Sequence, residues 1–205
     1  MLEQLIPFLT ASAILTISPG PDIIYVMVQG MANGKKPALI TALGLATGII
    51  VHTSLVAFGV SAIIKNSETL FFIIKLFGAI YLLYLAWQVF KSDPKIAYSA
   101  EGIKQKTLFS LFKQGFIMNV LNPKVSIFFL AFFPGFLWEP NGNTVVQFYI
   151  LGVVFMLLTV LIFGSVALMA GKISIYLKRH AHSGVVLKWL QIVVFIGISV
   201  FILLK

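Results

Sequence analysis

The chain is apolar in runs long enough to cross a bilayer. Six stretches (5–29, 38–64, 69–90, 109–134, 145–171 and 186–204) each hold 19 to 27 mostly apolar residues. A helix rises 1.5 Å per residue, so about 20 apolar residues span the hydrocarbon core. Composition agrees: 60% of the 205 residues are hydrophobic and 10% charged, with a mean hydropathy of +1.03. A soluble domain is nearer 45–50% apolar and about 25% charged. The sequence therefore reads as an integral membrane protein, one membrane domain over 1–205 with no room for an appended soluble domain. The N-terminal stretch lacks a basic region, carries Glu3 and runs on into a full-length span, so no cleavable signal peptide is expected.

Basic residues set the expected orientation. Lys35 and Lys36 follow the first span; Lys91, Lys95, Lys104, Lys106 and Lys113 follow the third; Lys172, Lys178, Arg179 and Lys188 follow the fifth. The opposite side holds Lys65 and Lys205, while Lys75 and Lys124 lie within spans. Loops rich in Lys and Arg face the cytoplasm, which puts both termini outside. The formal net charge of +9 is explained by these loops and calls for no nucleic-acid partner. Trp87 and Trp189 fall near the inner interface and Trp138 near the outer one, as an aromatic belt. Residues 91–107, with both charge signs, Pro94 and Gly102, read as a cytoplasmic linker. The segment 134–144 (Pro134, Gly135, Pro140, Asn141, Gly142, Asn143) reads as an outer turn.

Two spans contain proline breaks that carry opposite charges. Ser18-Pro19-Gly20-Pro21-Asp22 interrupts the first, and Asn122-Pro123-Lys124 the fourth. Proline removes a backbone donor and disrupts the helix around it. A charge near the bilayer centre costs about 2.5–3.5 kcal/mol on insertion scales. The first and fourth spans begin on opposite sides, so each half (about 1–90 and 109–205) opens with a broken helix in inverted orientation. Interrupted segments at matching positions of two halves point to a transporter site. The expected architecture is all-α: six transmembrane helices as two inverted three-helix repeats, helices 1 and 4 broken, joined by a linker at about 91–108.

Asn122 suits a helix N-cap and Pro123 the first helical position, with Lys124 beside amides that attract anions. In the first break Ser18 is a candidate cap, Pro19 or Pro21 the helix start, and Gly20 a point of close approach. Asp22 can hold an ammonium group or a proton. Amides freed by a break in lipid must be satisfied by protein, water or ligand, so both breaks should face an internal cavity. Asp22 and Lys124 either pair directly, locking the halves, or are bridged by a zwitterion. Asn119 lies one turn before Lys124. His52, beside Thr53 and Ser54, is either a proton relay or a neutral histidine bonded to a hydroxyl or carbonyl. Lys75 snorkels toward the outer interface. Gly44 and Gly48 permit close helix contact. His180 and His182 have no carboxylates near them in sequence, and with no Cys in the chain neither a metal site nor a disulfide is expected. Catalytic carboxylate pairs, nucleophile elbows and zinc motifs are likewise missing from the sequence, which speaks against an enzyme; no cofactor is expected.

At these residues the sequence resembles the lysine exporter type of bacterial amino-acid exporters, and is most similar to the homoserine/threonine efflux branch. Three blocks carry the likeness. Ser18-Pro19-Gly20-Pro21-Asp22 is followed by Gly30, Gly34, Gly44, Gly48 and His52. Residues 75–87 read Lys-Leu-Phe-Gly-Ala-Ile-Tyr-Leu-Leu-Tyr-Leu-Ala-Trp. Gln114-Gly115-Phe116 leads to Asn119, Leu121-Asn122-Pro123-Lys124 and the stretch 128–134. The resemblance implies a multi-pass exporter of the bacterial inner membrane. It would move amino acids or close derivatives outward, driven by proton exchange. The site read from the two breaks comprises Pro19, Gly20, Pro21, Asp22, Asn119, Asn122, Pro123 and Lys124, with Asp22 and His52 as proton-linked candidates. The family often has Asn at position 22, though Asp occurs, and Gly where this chain has Ala86. Some relatives export cations; the lack of Cys and the few buried carboxylates argue against that here. A channel or a non-transporting scaffold is the alternative outside the family. A homodimer is compatible with the sequence but not specified by it.

Overall fold

A computed structural model describes residues 2–94, 105–139, 142–180 and 182–204. Lys95, Gly102 and Lys104 of the expected linker, Pro140 and Asn141 of the expected outer turn, and Lys205 lie outside the described residues. Among the described residues the fold is all-helical.

The first break is real and sharp. α1 (Leu2–Ile17) and α2 (Pro21–Ala32) meet at 58°. Pro21 occupies the first turn of α2, where its missing N–H costs nothing, and Gly20 is fully extended before it. A turn at Gly34, whose φ of 88° favours glycine, leads into α3 (Lys35–Leu55). The path continues through a π-helical turn, Val56–Val60, into α4 (Ser61–Asn66). α5 (Glu68–Lys91) starts on a Ser67 cap that accepts from the Leu70 amide at 3.1 Å, with its acid first and its base last, matching the helix dipole.

α6 (Leu108–Val120) and α7 (Pro123–Ile127) form the second break. After α7 come a π-helical turn (Phe128–Phe132) and a 3-10 turn (Phe133–Phe136), and the whole segment is bent 48° from α6. α8 (Thr144–Arg179) and α9 (Ser183–Leu204) complete the bundle. Four segments, Lys35–Ile63, Glu68–Lys91, Thr144–Leu177 and Ser183–Leu204, are each long and apolar enough to cross a membrane, and six are if each bent pair counts as one.

The bases expected in loops stand largely on helices. Lys172, Lys178 and Arg179 belong to the last turns of the 36-residue α8, and Lys35 and Lys36 to the first turn of α3. No proline or left-handed glycine stops α8 at Gly171, so the helix runs on beyond its apolar stretch.

Apolar surface is disposed as lipid exposure requires. Phe77, Phe109 and Leu161 are 70%, 77% and 67% exposed, while nine phenylalanines at positions 8, 128, 129, 132, 133, 136, 148, 155 and 195 are buried together. α3 lies centrally, packed on α6 and α8; α2 packs on α8 and α5 on α9. The α3–α6 contact is backbone-close. A Cβ at Gly44 would stand 2.1 Å from the Phe112 carbonyl oxygen, and one at Gly115 would stand 2.4 Å from that of Thr41. The small-residue spacing read at Gly44 and Gly48 therefore serves helix contact.

Candidate functional site

The two breaks meet. Asn122 caps α7 through its side-chain oxygen, which accepts from the Lys124 amide at 3.0 Å. That leaves its Nδ2 free to donate to Asp22 Oδ2 at 2.6 Å, across 100 residues of sequence. Lys124 Nζ reaches the other way and donates to the Ser18 carbonyl oxygen at 3.0 Å, a group released by the first break. The Lys124 ammonium also lies 5.9 Å from the Phe195 ring centroid. Each charge is thus held by a neutral group of the opposite break, and no hydrogen bond joins Asp22 to Lys124 directly.

Two sequence expectations are corrected here. Ser18 is not the cap of α2: Gly20 holds that position without a side-chain bond, because Pro21 already begins the helix. Nor does the second break open a regular half-helix with unclaimed amides. α7 is five residues long, and Asn122 satisfies the Lys124 amide.

Between the breaks lies a cavity of about 30 Å³ lined by Ser18, Gly20, Asp22, Asn119, Asn122 and Lys124, with Phe155 and Phe163 on its apolar side. Three of its buried polar atoms, Ser18 Oγ, Asp22 Oδ1 and Asn119 Oδ1, have no hydrogen-bond partner. Leaving such a group unsatisfied costs about 1–3 kcal/mol, more when charged. Three together in one chamber make a site built for water or a polar ligand. Two of them, the Asp22 and Asn119 oxygens, can only accept, while Lys124 Nζ only donates. The chamber lining therefore sets hydrogen-bond acceptors and a donor side by side.

The remaining residues singled out in the sequence stand around this chamber. Pro19 and Pro21 line a larger cavity of about 480 Å³ that shares Gly20 and Ile23 with it. That cavity runs between α2, α8 and α9 to Asp93 and Lys188, at the end of the bundle that carries the basic residues. Pro123 is exposed and lines neither. His52 is buried behind the chamber, its Nε2 3.1 Å from the Asn119 carbonyl oxygen and its ring stacked on Phe129. A carbonyl can only accept, so Nε2 carries the proton. The same carbonyl accepts from the Asn122 amide at 2.9 Å, which links His52 to the second break.

Sequence reasoning missed Thr16, Thr159, Phe155 and Phe163, which line the chamber. Thr16 and Thr159 bond the carbonyls of Ser12 and Phe155, four residues back, so locally they look like ordinary helix threonines. Among the described residues no group of three His, Cys, Asp or Glu side chains could hold a metal ion.

A polar chamber enclosed by two broken helices, in a bundle whose outer face is apolar, defines a membrane transport protein rather than an enzyme. Residues 13–205 match the LysE type translocator family, and the chain belongs to that family. An uncharacterized membrane protein, YrhP, of Bacillus subtilis (strain 168) is 32% identical over 170 residues, 79% of this chain and 80% of that one. Homoserine/homoserine lactone efflux proteins of Salmonella typhimurium (strain LT2) and Salmonella typhi are each 30% identical over 171 residues, 83% of this chain and 82% of theirs. No solved structure matches.

Proposed function

We propose that this protein exports amino acids or close derivatives across the bacterial inner membrane, in exchange for protons. The observation that carries the reading is the chamber between the breaks, where Lys124 and Asp22, which keeps one oxygen unpartnered, line one small space from opposite breaks, with Asn119 beside them. A zwitterion offers what these groups lack: an ammonium for Asp22 and Asn119, and a carboxylate for Lys124. Pro19, Gly20, Pro21 and Pro123 shape the breaks that expose them, and Asn122 holds the two sides in register. The efflux activity named for the Salmonella relatives supports the direction of transport and a small polar cargo.

At about 30 Å³ the chamber has room for about two waters. An amino acid enters only when the walls part, which is what alternating access supplies. The packing supports two exchanged halves. If the spans are numbered one to six with each bent pair as a single span, two with four is matched by five with one, and three pairs with six. These three contacts map onto one another or themselves when the first three spans trade places with the last three, which supports an inverted repeat, although the α2–α3 contact has no comparable counterpart between spans four and five. In this reading 1–205 is one transport domain, with repeats of about 1–90 and 109–205 and a linker at about 91–108. Basic residues face the cytoplasm and both termini lie outside. The 480 Å³ cavity then opens to the cytoplasm and delivers cargo to the breaks. Asp22 carries the coupling proton when cargo is absent, while His52, held off the chamber by Asn119, positions the second break. The chamber is complete within one chain, so a homodimer is compatible with this reading and not required by it.

Counterflow in proteoliposomes with a panel of labelled amino acids tests the reading. Exchange of at least one neutral amino acid, with proton movement in the opposite direction, is the expected result. Failure of every amino acid to exchange would remove the substrate claim first and the transporter claim second. Single-channel currents without coupled protons would favour a channel.

A further inference from the structure

A second cavity, about 310 Å³, lies at the end of the bundle away from the basic residues, with Gln4, Phe71, Lys75, Phe132, Pro134 and Phe201 in its wall. Its size falls in the range of small-molecule sites, roughly 300–1,000 Å³. Lys75 is half-buried on α5, on a helix whose Phe72 and Phe77 are exposed. A lysine inside a span is costly unless it faces water or a partner. Lys75 Nζ folds back over the Phe71 ring, 5.4 Å from its centroid, and lines the cavity.

The wall between this cavity and the chamber is aromatic and irregular. Phe155 lines the chamber and stacks on Phe128 at 5.4 Å; Phe128 meets Phe132 at 4.9 Å, and Phe132 lines the second cavity. Phe128 and Phe132 are the two ends of the π-helical turn, a geometry that is rare and frequent at functional sites. The turn rides on α5: a Cβ at Gly78 would stand 2.4 Å from that of Ala131, one helical turn from Lys75. A shift of the turn that parts Phe128 from Phe155 therefore joins the chamber to the space beside Lys75.

We propose that this cavity is a second, exit-side binding site, where Lys75 takes the carboxylate of an amino acid leaving the chamber and the Phe128–Phe132 turn is the movable partition. The proposal rests on the exporter reading above. A phospholipid headgroup offers the same anionic chemistry, but the single wall of Phe155, Phe128 and Phe132 between the two cavities favours cargo coming from the chamber.

The test uses right-side-out and everted membrane vesicles, which present opposite faces to the added labelled amino acid. Lys75→Gln is expected to raise the half-saturating concentration for exchange about ten-fold at the outer face, with a much smaller rise at the inner face, and Lys75→Arg to restore most of the loss. Equal shifts at both faces, or none, would overturn the proposal in favour of a packing role for Lys75. An outer-face effect that vanishes in vesicles lacking anionic phospholipid would assign the lysine to headgroup phosphate and overturn it as well. If the wild-type protein exchanges no amino acid at either face, the exporter reading itself has failed, and this site falls with it.

Discussion

The two breaks share a proline and a charge but are built differently. The first is followed by α2, a regular helix of 12 residues whose N-terminus has no side-chain cap. Its acid is left with one oxygen bonded and one unpartnered. The second is capped by Asn122, yet its helix stops after five residues and gives way to π-helical and 3-10 turns packed with phenylalanine. The acidic side is a firm scaffold that presents an unsatisfied group; the basic side is a fixed cap attached to an irregular aromatic wall. In the proposed function both breaks grip the cargo, and the irregular wall behind the second is the part that moves.

Removing either charge breaks the comparison most severely. Asp22→Asn and Lys124→Met are each expected to lower transport at least about 100-fold while the protein still accumulates in the membrane, since each removes the charge that one end of a zwitterion would meet. Full activity in either variant removes that residue from the mechanism. Asn122→Ala should come next. It leaves Asp22 Oδ2 without its donor and uncaps the Lys124 amide, a loss of about 1–3 kcal/mol or roughly 10- to 100-fold in transport. Gly20→Ala sharpens the contrast between the caps. A Cβ there meets nothing nearer than 3.9 Å, so stability read from detergent melting curves should hold within about 0.5 kcal/mol.

Gly44→Ala probes the frame rather than the site. Its Cβ would strike the Phe112 carbonyl, and about 1–3 kcal/mol of destabilisation should appear in detergent melting curves. Gly59→Ala, with nothing within 4 Å, is the matched neutral control. Among the site variants a small loss of transport is expected at His52: Gln can also donate to the Asn119 carbonyl, so His52→Gln should cost less than about ten-fold and leave the pH dependence of transport in place. Loss of that dependence would make His52, not Asp22, the proton-linked group.

The spans were legible because length and apolarity are local properties, and both breaks because proline acts on its own neighbours. Asn122 was readable as a cap for the same reason. Its bond to Asp22 was not, since a contact over 100 residues leaves no local pattern. The irregular Phe128–Phe136 segment reads in sequence as plain hydrophobic helix, because nothing in a run of phenylalanines marks a change of turn type. The overrun of α8 past Gly171 was hidden by charge: Lys172, Lys178 and Arg179 look like a loop, although lysine and arginine are good helix formers. Lys75 was legible as a cation within a span, but the cavity beside it depends on Phe132 and Phe201 from other helices.

The claim beneath the rest is that one ligand is gripped from both breaks at once, and the natural lack of cysteine makes it directly measurable. Ser18→Cys reports on the first break and Val125→Cys on the second; both positions line the chamber. With a transported amino acid present, both thiols should be shielded from a small membrane-permeant thiol reagent, with the same half-protecting concentration. Shielding at one position alone, or at neither, would contradict a shared site.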